Sequence, residues 1–447
     1  MIVMKFGGTS VGGPARMREV AELIKGEERK IVVLSAVAGT TNKLIDIAGH
    51  LYGKRPAEAR AGLEALRQEY SAFISELLPE GPFRVAGLQA MDDFCSSISL
   101  QFAANFGARE ERTIVAQGEL LSTRLFHIYL SSCGIAAEWL PALGFMRIGP
   151  DGGPDMDWIR ERLSWLMRQN PDQRCYITQG YICRNAEGEV DNLQRGGSDY
   201  TATIIGAAIR AGEVQIWTDI DGLHNADPRL VQGTRPLRAV SYREAAELAY
   251  FGAKILHPTC VIPAEEALIP VRLKNTFHPE APGTLISADA SGKIVAALAA
   301  KDGITAIRIR SARMLNAYGF LRQVFEIFER YKTPIDMITT SEVSVSVTID
   351  GEDELGAIVG ALAEYADVQV ERGHSILSIV GDGLYTEKGI SGRVFSALEG
   401  FPLRMVSYGG SNNNISLLLP TAYKAEAMRS LHRALFSLEM EPAMTGA

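Results

Sequence analysis

The hydrophobic positions in the first part of the chain form short continuous runs that alternate with stretches of helical spacing. Ile2 to Phe6, apolar except for Lys5, predicts a short buried strand, and a GGTSVGG loop and a helical stretch from Pro14 to Lys25 follow it. Ile31 to Gly39 is apolar throughout, which is typical of a strand covered on both faces. This order of strand, glycine loop and helix predicts a parallel α/β architecture.

Strands and helices continue to alternate until about Ser287, where we expect the first domain to end. A helical region from about Ala57 to Arg109, rich in Ala, Leu and Glu, is predicted to be an inserted scaffold, and we assign it no chemistry. The remaining predicted strands and helices are, in chain order, Arg174 to Ile182, Tyr200 to Arg210, Glu213 to Ile220, Tyr242 to Lys254 and Ile269 to Asn275.

The last third of the chain contains an internal repeat. The segment from Gly319 to Ile338 matches the segment from Gly389 to Val406, and their first glycines lie 70 residues apart. Because a period above ~50 residues argues for duplicated small domains rather than a solenoid, we expect two related α+β modules. The pattern leaves open whether one module is inserted into the other. The predicted division is a first domain at 1–287, a linker at 288–301, and modules at 302–372 and 373–447.

Composition and charge exclude several classes of protein. The 447 residues exceed the usual size of one domain, and 47% hydrophobic with 22% charged residues is ordinary globular usage. A net charge of -8 gives no general attraction for nucleic acid or an anionic membrane, so we expect neither as a partner. Five cysteines without a CxxC pair, no export signal and no apolar run near the ~18 residues of a membrane span predict a cytoplasmic protein.

The first candidate site is the glycine loop after the first predicted strand. Glycine is overrepresented, with 43 residues where about 31 are expected from a usage of about 7%. Lys5 stands two residues before Gly7 and Gly8, so its ammonium and the following backbone N–H groups can converge on a phosphate. In a Walker A loop the lysine follows the glycines, so this is a different motif. A plain turn between strand and helix explains the segment equally well.

A second candidate is the segment QRGGSDYTA, which precedes a predicted helix. Arg195 and the helix N-terminus can hold an anionic group, and Asp199 can orient a lysine. The alternative is that Ser198 or Asp199 simply caps the helix. Capping, however, does not require the Arg-Gly-Gly that comes before it.

Three other segments carry charged residues at positions where a ligand could bind. WTDIDGLHNADPR follows a predicted strand, where open α/β sheets bind ligands, although Asp221 before Gly222 is better explained as a turn former. Lys254 lies at a predicted helix end, where phosphate binding and relief of the helix dipole are equally plausible. Glu119 stands among apolar helical residues, and a buried acid normally needs a cationic or hydrogen-bonding partner, of which a substrate ammonium is one. We find no Ser/His/Asp pattern, and His257 is interpreted as structural.

Taken together and in order, these segments resemble the aspartokinases. The resemblance rests on KFGGTSV, LSAVAGTTN, GEL, RGGSDYTA, WTD, DPR and FGAKILHP, and the repeat resembles the paired ACT domains of that family through MLNAYGFL, ITTSEVSVS and VSYGGSNNNIS. It implies an amino-acid-kinase fold, an open and mainly parallel sheet with helices on both faces, followed by two ferredoxin-like α+β ACT domains. It further implies the monofunctional, lysine-sensitive type, without a trailing homoserine dehydrogenase domain.

The resemblance implies an activity. Aspartokinases use ATP to phosphorylate the side-chain carboxylate of L-aspartate to 4-phospho-L-aspartate, the first step of lysine, threonine and methionine biosynthesis. We therefore expect ATP with Mg²⁺ as co-substrate, no tightly bound prosthetic group, feedback by an end-product amino acid with lysine as the expected effector, and a homodimer or larger homo-oligomer formed through the ACT domains. The carboxylate nucleophile, with a pKa near ~4, is already ionised at neutral pH and needs no general base.

The resemblance also assigns residues to roles, and no protein metal ligand is among them. The implied catalytic residues are Lys5 and Asp199. The implied ATP contacts are Gly7, Gly8, Ser10, Thr218, Asp219, His224, Arg229 and Lys254. The implied aspartate contacts are Ser35, Thr41, Glu119, Arg195 and Ser198. The implied effector contacts are Met314, Phe320, Leu321, Asp336, Ser341 and Glu342. The chain departs from the family pattern at His224, where tyrosine is common, and at Gln194, where glycine is usual.

Two alternative interpretations differ from this one in testable ways. A glutamate or acetylglutamate kinase would share the phosphate loops but should lack the duplicated ACT domains and the LSAVAGTTN segment. A non-catalytic amino-acid sensor would be expected to have lost catalytic positions, whereas Lys5, Asp199 and Lys254 are all present. The aspartokinase interpretation is therefore preferred.

Overall fold

The computed structural model describes residues 1–102, 105–193, 196–252, 256–289, 292, 294–311 and 318–436. These residues form two compact units. The first unit comprises the described residues of Met1–Leu223, Arg238–Tyr242 and Ile255–Asp289. The second unit comprises those of His224–Leu237, Arg243–Lys254 and Ala290–Ala447.

Strands and helices alternate along the described residues. The helices are α1 (Pro14–Leu23), α2 (Thr40–Tyr52), α3 (Pro56–Leu77), α4 (Pro82–Ser99), α5 (Ala108–Ser132), α6 (Met156–Gln169), α7 (Gly197–Ile209), α8 (Tyr242–Tyr250), α9 (Ile262–Glu266), α10 (Phe320–Arg330), α11 (Leu355–Ala363), α12 (Ile390–Ala397) and α13 (Lys424–Phe436). The strands are β1 (Ile2–Phe6), β2 (Lys30–Leu34), β3 (Glu138–Trp139), β4 (Cys175–Gln179), β5 (Ile182–Arg184), β6 (Val190–Asn192), β7 (Glu213–Thr218), β8 (Ala239–Ser241), β9 (Val271–Asn275), β10 (Thr284–Ser287), β11 (Ala297–Arg310), β12 (Ile338–Thr340), β13 (Ser344–Ile349), β14 (Asp367–Val380), β15 (Met405–Tyr408) and β16 (Asn414–Pro420).

The first unit is built on an eight-stranded sheet. Its strand order is β3-β4-β2-β1-β7-β9-β10-β8, and all neighbours are parallel except β9 and β10. Phe6, at the end of β1, lies in register with Leu34 of β2 and Trp217 of β7. Because the central strands run in the same direction, the loops that follow β1, β2, β4, β7 and β9 leave from one edge of the sheet.

Helices cover both faces of this sheet. Phe6 and Leu34 belong to a buried cluster with side chains of α1 to α5, so these helices pack on one face. Successive side chains of a strand point to opposite faces, and Lys5 accordingly faces α7, which packs on β1, β2 and β7. The predicted open, mainly parallel sheet with helices on both faces is confirmed.

Most predicted elements are present, with different ends. β1 has the predicted bounds, and the scaffold predicted from about Ala57 to Arg109 contains α3 and α4. β2 ends at Leu34 rather than Gly39, because Gly39 adopts a left-handed φ of 81° and α2 begins at the next residue. The apolar segment between β2 and α2 is therefore a loop at the ligand-binding edge of the sheet.

The second unit contains a six-stranded antiparallel sheet with the order β12-β13-β11-β14-β16-β15. Gly319 and Gly389, the first residues of the sequence repeat, have left-handed φ values of 87° and 86° and directly precede α10 and α12. The repeat therefore reproduces the same helix start twice. The two predicted α+β modules are confirmed.

The two modules share their long central strands. In the first module, residues 304–310 of β11 pair with 367–374 of β14. In the second, residues 376–380 of β14 pair with 297–301 of β11, which precede the first module in sequence. The modules are therefore interleaved, and residues 297–301, which the sequence pattern places in a linker, form a strand of the second module. The boundaries at 302–372 and 373–447 remain a prediction.

Three chemical properties of the described residues complete the picture. All five cysteines are free thiols. No helix in the described part of the chain is long and apolar enough to cross a membrane. Among the same residues, no group of three His, Cys, Asp or Glu side chains is arranged to hold a metal ion.

The packing of α7 on β7 gives a stability prediction. A Cβ at Gly206 of α7 would lie 2.4 Å from Cγ2 of Val214, whereas Gly49, exposed in α2, has open space around its Cα. Gly206→Ala should therefore lower the unfolding free energy by about 1–3 kcal/mol through overpacking. Gly49→Ala should raise it by up to about 1 kcal/mol through helix propensity. Thermal and urea unfolding followed by circular dichroism measure both, and equal effects of the two substitutions would contradict the packing argument.

Candidate active site

The centre of the site is an ion pair between β1 and α7. The ammonium of Lys5 lies 2.6 Å from Oδ1 of Asp199, and the two side chains are only 11% and 15% exposed. Asp199 is in the first turn of α7, whose N-cap is Gly196 without any side-chain capping bond. The alternative role of Asp199 or Ser198 as helix cap is therefore wrong, and the carboxylate of Asp199 serves Lys5 instead.

The two glycines before Ser198 are required by close packing. Gly196 has a left-handed φ of 81°, and a Cβ there would lie 2.5 Å from Sγ of Cys260. A Cβ at Gly197 would lie 2.2 Å from Cδ2 of Tyr181. Any larger residue would displace the first turn of α7, and with it Asp199.

A cavity of 340 Å³ opens beside this turn. Four of the predicted aspartate contacts, Ser35, Thr41, Glu119 and Ser198, line it, although they come from three distant parts of the sequence. The fifth, Arg195, lies outside the described residues. The remaining lining residues are Gly8, Ala36, Val37, Ala38, Gly39, Asn42, Tyr181 and Gly197.

Glu119 is the buried acid of this cavity. It is 3% exposed, and Oε1 accepts a hydrogen bond of 3.3 Å from the backbone N–H of Ala36, while Oε2 has no partner among the described residues. Burial raises the pKa of Glu119 to about 7, and the hydrogen bond from Ala36 opposes this shift. An unpaired oxygen on a buried acid is suited to a cationic ligand.

The helix that carries Glu119 is held at the ends of two strands. A Cβ at Gly118 would lie 3.0 Å from Cβ of Ala36, so α5 packs closely on the loop after β2. Gln179, the last residue of β4, donates to Oγ1 of Thr123 at 2.7 Å, and Thr123 in turn donates to the carbonyl of Glu119 at 2.8 Å. The bond from Gln179 ties α5 to the end of β4.

The predicted phosphate loop lies against the loop after β2. The carbonyl of Gly8 accepts from the N–H of Ala38 at 3.2 Å, and Gly8 lines the cavity. A Cβ at Gly7 would lie 3.4 Å from Nζ of Lys5. Ser10 is fully buried, and its hydroxyl is hydrogen bonded to Oγ1 of Thr276 at 2.8 Å. Ser10 therefore anchors the loop, and its contact with phosphate stays a prediction.

The predicted nucleotide contacts are divided between the two units. Thr218 and Asp219 lie at the end of β7 in the first unit, with a hydrogen bond of 3.1 Å between their side chains. His224 and Arg229 belong to the second unit, where His224 is 3.3 Å from Oγ1 of Thr234 and Arg229 pairs with Asp227 at 2.7 Å. Lys254 lies outside the described residues.

Asp221 and His257 each take part in a hydrogen bond within the protein, and their interpretation as structural residues stays a prediction. Asp221 accepts a hydrogen bond from Asn275. The next residue, Gly222, has a φ of 117°, and a Cβ there would lie 2.4 Å from Oγ1 of Thr284. The imidazole of His257 is 2.7 Å from Oγ1 of Thr259.

Among the predicted effector contacts, Asp336 has the most distinctive environment. Its side chain is 2% exposed, and Oδ1 receives the ammonium of Lys301 and the hydroxyl of Tyr250, each at 2.7 Å. The ammonium of Lys301 also lies 2.8 Å from Asp350. Asp336 is therefore a buried acid, and Lys301 pairs with it in the interior of the unit.

The other predicted effector contacts occupy several parts of the first module. Phe320 is buried in the core beneath α10, whereas Leu321 is exposed. Ser341 is hydrogen bonded to Ser344, with 2.7 Å between the hydroxyls, and Glu342 is exposed. Met314 lies outside the described residues.

Tyr181 lines the cavity, and the sequence analysis missed it. It follows β4 and Gly180, so the rule that ligands bind beyond the carboxyl ends of parallel strands could have identified it. Its close approach to Gly197 depends on tertiary structure and is not predicted by any sequence motif.

Comparison with known proteins agrees with these observations. Residues 1–275 match the model of the amino acid kinase family, and residues 307–361 and 377–435 match an ACT domain model. Lysine-sensitive aspartokinase 3 of Escherichia coli is 33% identical over 98% of this chain and 99% of its own length. Aspartokinase 1, chloroplastic, of Arabidopsis thaliana is 34% identical over 97% of this chain and 80% of its own length.

Solved structures show the same similarity. E. coli aspartokinase III in complex with aspartate and ADP, an R-state, superimposes with a TM-score of 0.85 over 98% of this chain and 100% of that chain, at 33% identity. The same enzyme in complex with lysine and aspartate, a T-state, superimposes with a TM-score of 0.83 over 98% and 99% of the two chains. The chain belongs to the aspartokinases, carboxyl-phosphorylating enzymes of the amino acid kinase family that carry ACT domains.

Proposed function

We propose that this chain transfers the γ-phosphoryl group of MgATP to the side-chain carboxylate of L-aspartate, giving 4-phospho-L-aspartate and ADP. The observation that carries the proposal is the cavity beside the Lys5–Asp199 pair, which has an unpaired, buried Glu119 oxygen on its wall. The E. coli relative, similar over nearly the whole chain, holds aspartate and ADP in one complex.

Glu119 and small polar groups account for binding of the substrate. The α-ammonium of aspartate pairs with the free oxygen of Glu119, which restores a partner to a buried acid. The hydroxyls of Ser35, Thr41 and Ser198 line the same cavity and can donate to carboxylate oxygens. Arg195 is the expected guanidinium partner of the α-carboxylate.

Lys5 acts on the transferred group. Phosphoryl transfer spreads negative charge over the equatorial oxygens, and a positioned ammonium stabilises that charge without a proton transfer. Asp199 holds the ammonium of Lys5 at 2.6 Å, so Lys5 is oriented before the substrates arrive. The aspartate oxygen forms the new bond to phosphorus as the bond from phosphorus to the ADP oxygen breaks, and Mg²⁺ enters with ATP.

Regulation by an amino acid is part of the same proposal. Oδ2 of Asp336 has no hydrogen-bond partner among the described residues, so a ligand ammonium in the first ACT module can pair with it. Lysine is the proposed effector, because a similar enzyme is named lysine-sensitive and has been solved with lysine and aspartate. Lysine must stabilise a less active conformer in order to inhibit.

We also propose that subunits pair through the ACT modules. Tyr318, Leu321, Phe325 and Ile338 leave apolar side chains exposed on the first module of the isolated chain. Exposed apolar side chains on a regulatory module are expected of a surface that another subunit covers.

The activity and the role of Lys5 are tested together. ATP-dependent hydroxamate formation should be seen with aspartate and be far weaker with glutamate or acetylglutamate. Lys5→Ala should lower kcat at least about a hundredfold, because it removes charge stabilisation in the transition state. Lys43→Ala, which removes an exposed cation paired with Glu69, is the matched control and should retain activity. No product with aspartate would overturn the function, and near-wild-type turnover of Lys5→Ala would remove Lys5 from the mechanism.

Glu119 gives a prediction about pH. Because burial raises its pKa to about 7, aspartate binding below pH 7 requires loss of a proton, so the KM for aspartate should rise up to about tenfold per unit as pH falls through 7. Glu119→Gln should raise the KM at pH 8 and abolish this dependence.

Glu119 also makes the stability of the fold depend on pH. Low pH weakens aspartate binding through Glu119, but it stabilises the fold through the same group. A carboxyl whose folded pKa lies above its unfolded value stabilises the fold at low pH, and this contribution is lost as pH rises through 7. Glu119→Gln should therefore raise the melting temperature at pH 8, by an amount that reflects up to about 3 kcal/mol. Steady-state kinetics and thermal unfolding from pH 6 to 9 measure both effects, and an unchanged KM in the variant would exclude Glu119 from the substrate site.

Lysine sensitivity is the test of the regulatory proposal. Saturating lysine should lower turnover and raise the melting temperature of the wild-type chain. Asp336→Asn should weaken inhibition at least about tenfold, since a hydrogen bond to a charged group contributes about 1.5–3 kcal/mol. Asp353→Asn, at an exposed acid of the same module, is the control and should keep wild-type inhibition. If lysine changes neither activity nor melting temperature, the lysine assignment fails.

A further inference from the structure

Tyr181 is a residue with a strained backbone on the wall of the substrate cavity. It lines the 340 Å³ cavity together with Glu119 and Ser198. Its φ is +67°, in the left-handed region that residues other than glycine rarely adopt. Backbone strain of this kind persists only where surrounding structure enforces it, and it concentrates at functional sites.

Hydrogen bonds on both sides hold this backbone in place. The N–H of Tyr181 donates to Oγ1 of Thr201 at 2.9 Å, and the hydroxyl of Thr201 donates to the carbonyl of Gly197 at 2.8 Å. The carbonyl of Tyr181 accepts from the N–H of Leu193 at 2.7 Å. Tyr181 is thus tied to the first turn of α7, the turn that carries Ser198 and Asp199.

The ring of Tyr181 packs against the first turn of α7. Gly197 has no side chain, and a Cβ there would lie 2.2 Å from Cδ2 of the ring, so the ring rests directly on the helix turn. Burial raises the pKa of Tyr181, and the Glu119 carboxylate raises it further, so the phenol lies within the field of the proposed ammonium site.

Size makes Tyr181 different from its neighbours. Among the described lining residues, it is the only one with an aromatic ring, and most of the others are Gly, Ala, Ser or Thr. Glu119 is assigned to the substrate ammonium. The ring of Tyr181 is therefore the large side-chain group that can limit the length of the substrate. Pockets bounded by a rigid wall discriminate one methylene by roughly 10–200-fold.

We propose that Tyr181 is a positioning and specificity residue, whose ring closes the cavity against acidic amino acids one methylene longer than aspartate. The proposal rests on the proposed function, because it presumes that aspartate occupies this cavity. The strained φ and the close contact with Gly197 hold Tyr181 in the cavity wall that Ser198 and Glu119 also line.

The experiment compares hydroxamate formation from aspartate and glutamate by the full chain and its variants. Tyr181→Gly removes the ring and the strain together, and Tyr181→Asn provides a second small residue that tolerates a left-handed backbone. Both should raise the KM for aspartate and lower the aspartate-to-glutamate ratio of kcat/KM at least about tenfold. Tyr181→Phe keeps the ring and should recover most of the preference.

Arg210→Gly is the matched control for strain. Arg210 ends α7 with a left-handed φ of 50°, is exposed and is not among the cavity residues. Its replacement should raise the melting temperature and leave the aspartate-to-glutamate ratio unchanged.

The outcomes separate the two proposals. If the wild-type chain forms no aspartyl hydroxamate, the proposed function fails and this inference fails with it. If the wild-type chain is active on aspartate, but the folded Gly and Asn variants keep both its KM and its aspartate-to-glutamate ratio, Tyr181 is not a specificity residue. A change of ratio shared by Arg210→Gly would also overturn the inference, since it would show that relief of strain, and not loss of the ring, is responsible.

Discussion

The ion pair between Lys5 and Asp199 is the interaction on which the rest of the site depends. It joins Lys5 of β1 to Asp199 in the first turn of α7. The ammonium of Lys5 lies 2.6 Å from Oδ1 of Asp199, and both side chains are largely buried. Neither charge could remain in such a place alone, because an unpaired buried ion is costly. The pair therefore fixes α7 above the centre of the sheet, and α7 in turn places Ser198 in the cavity.

Close backbone approach is the second constraint, and it accounts for part of the glycine excess. Residues that follow β4 meet residues that begin α7, and a Cβ at Gly180 would lie 2.5 Å from Cβ of Ser198. The loops after β1 and β2 meet in the same manner at Gly8, where a Cβ would lie 3.0 Å from the carbonyl of Ala36. These contacts remove the room for side chains, so the cavity is lined mostly by small residues and its few large groups determine what it accepts.

The hydrophobic pattern along the sequence predicted most helices and strands, but it could not predict which distant segments pair with one another. The bounds of β1 followed from its sequence, because four of its five residues are apolar and a strand buried on both faces is the consistent interpretation. The sequence pattern could not predict that the two modules share β11 and β14, because residues 297–301 pair with residues 376–380, which are separated from them in sequence by the first module. The motifs located Glu119, but only the fold shows that Oε2 lacks a partner. Likewise, the sequence does not predict that Asp336 is buried and paired with Lys301.

The cavity carries two features that oppose folding and favour binding. Glu119 is an acid whose pKa burial raises to about 7, and Tyr181 holds a backbone angle suited to glycine. Each costs stability in the free chain, and a cationic ligand that pairs with Glu119 recovers part of that cost. A stable, unliganded cavity would require a neutral residue at position 119, and that residue could no longer attract an ammonium group. Binding of a cation therefore relieves part of the cost of burying Glu119, which is the physical reason that this cavity, and not the smaller void beneath α10, is assigned to substrate.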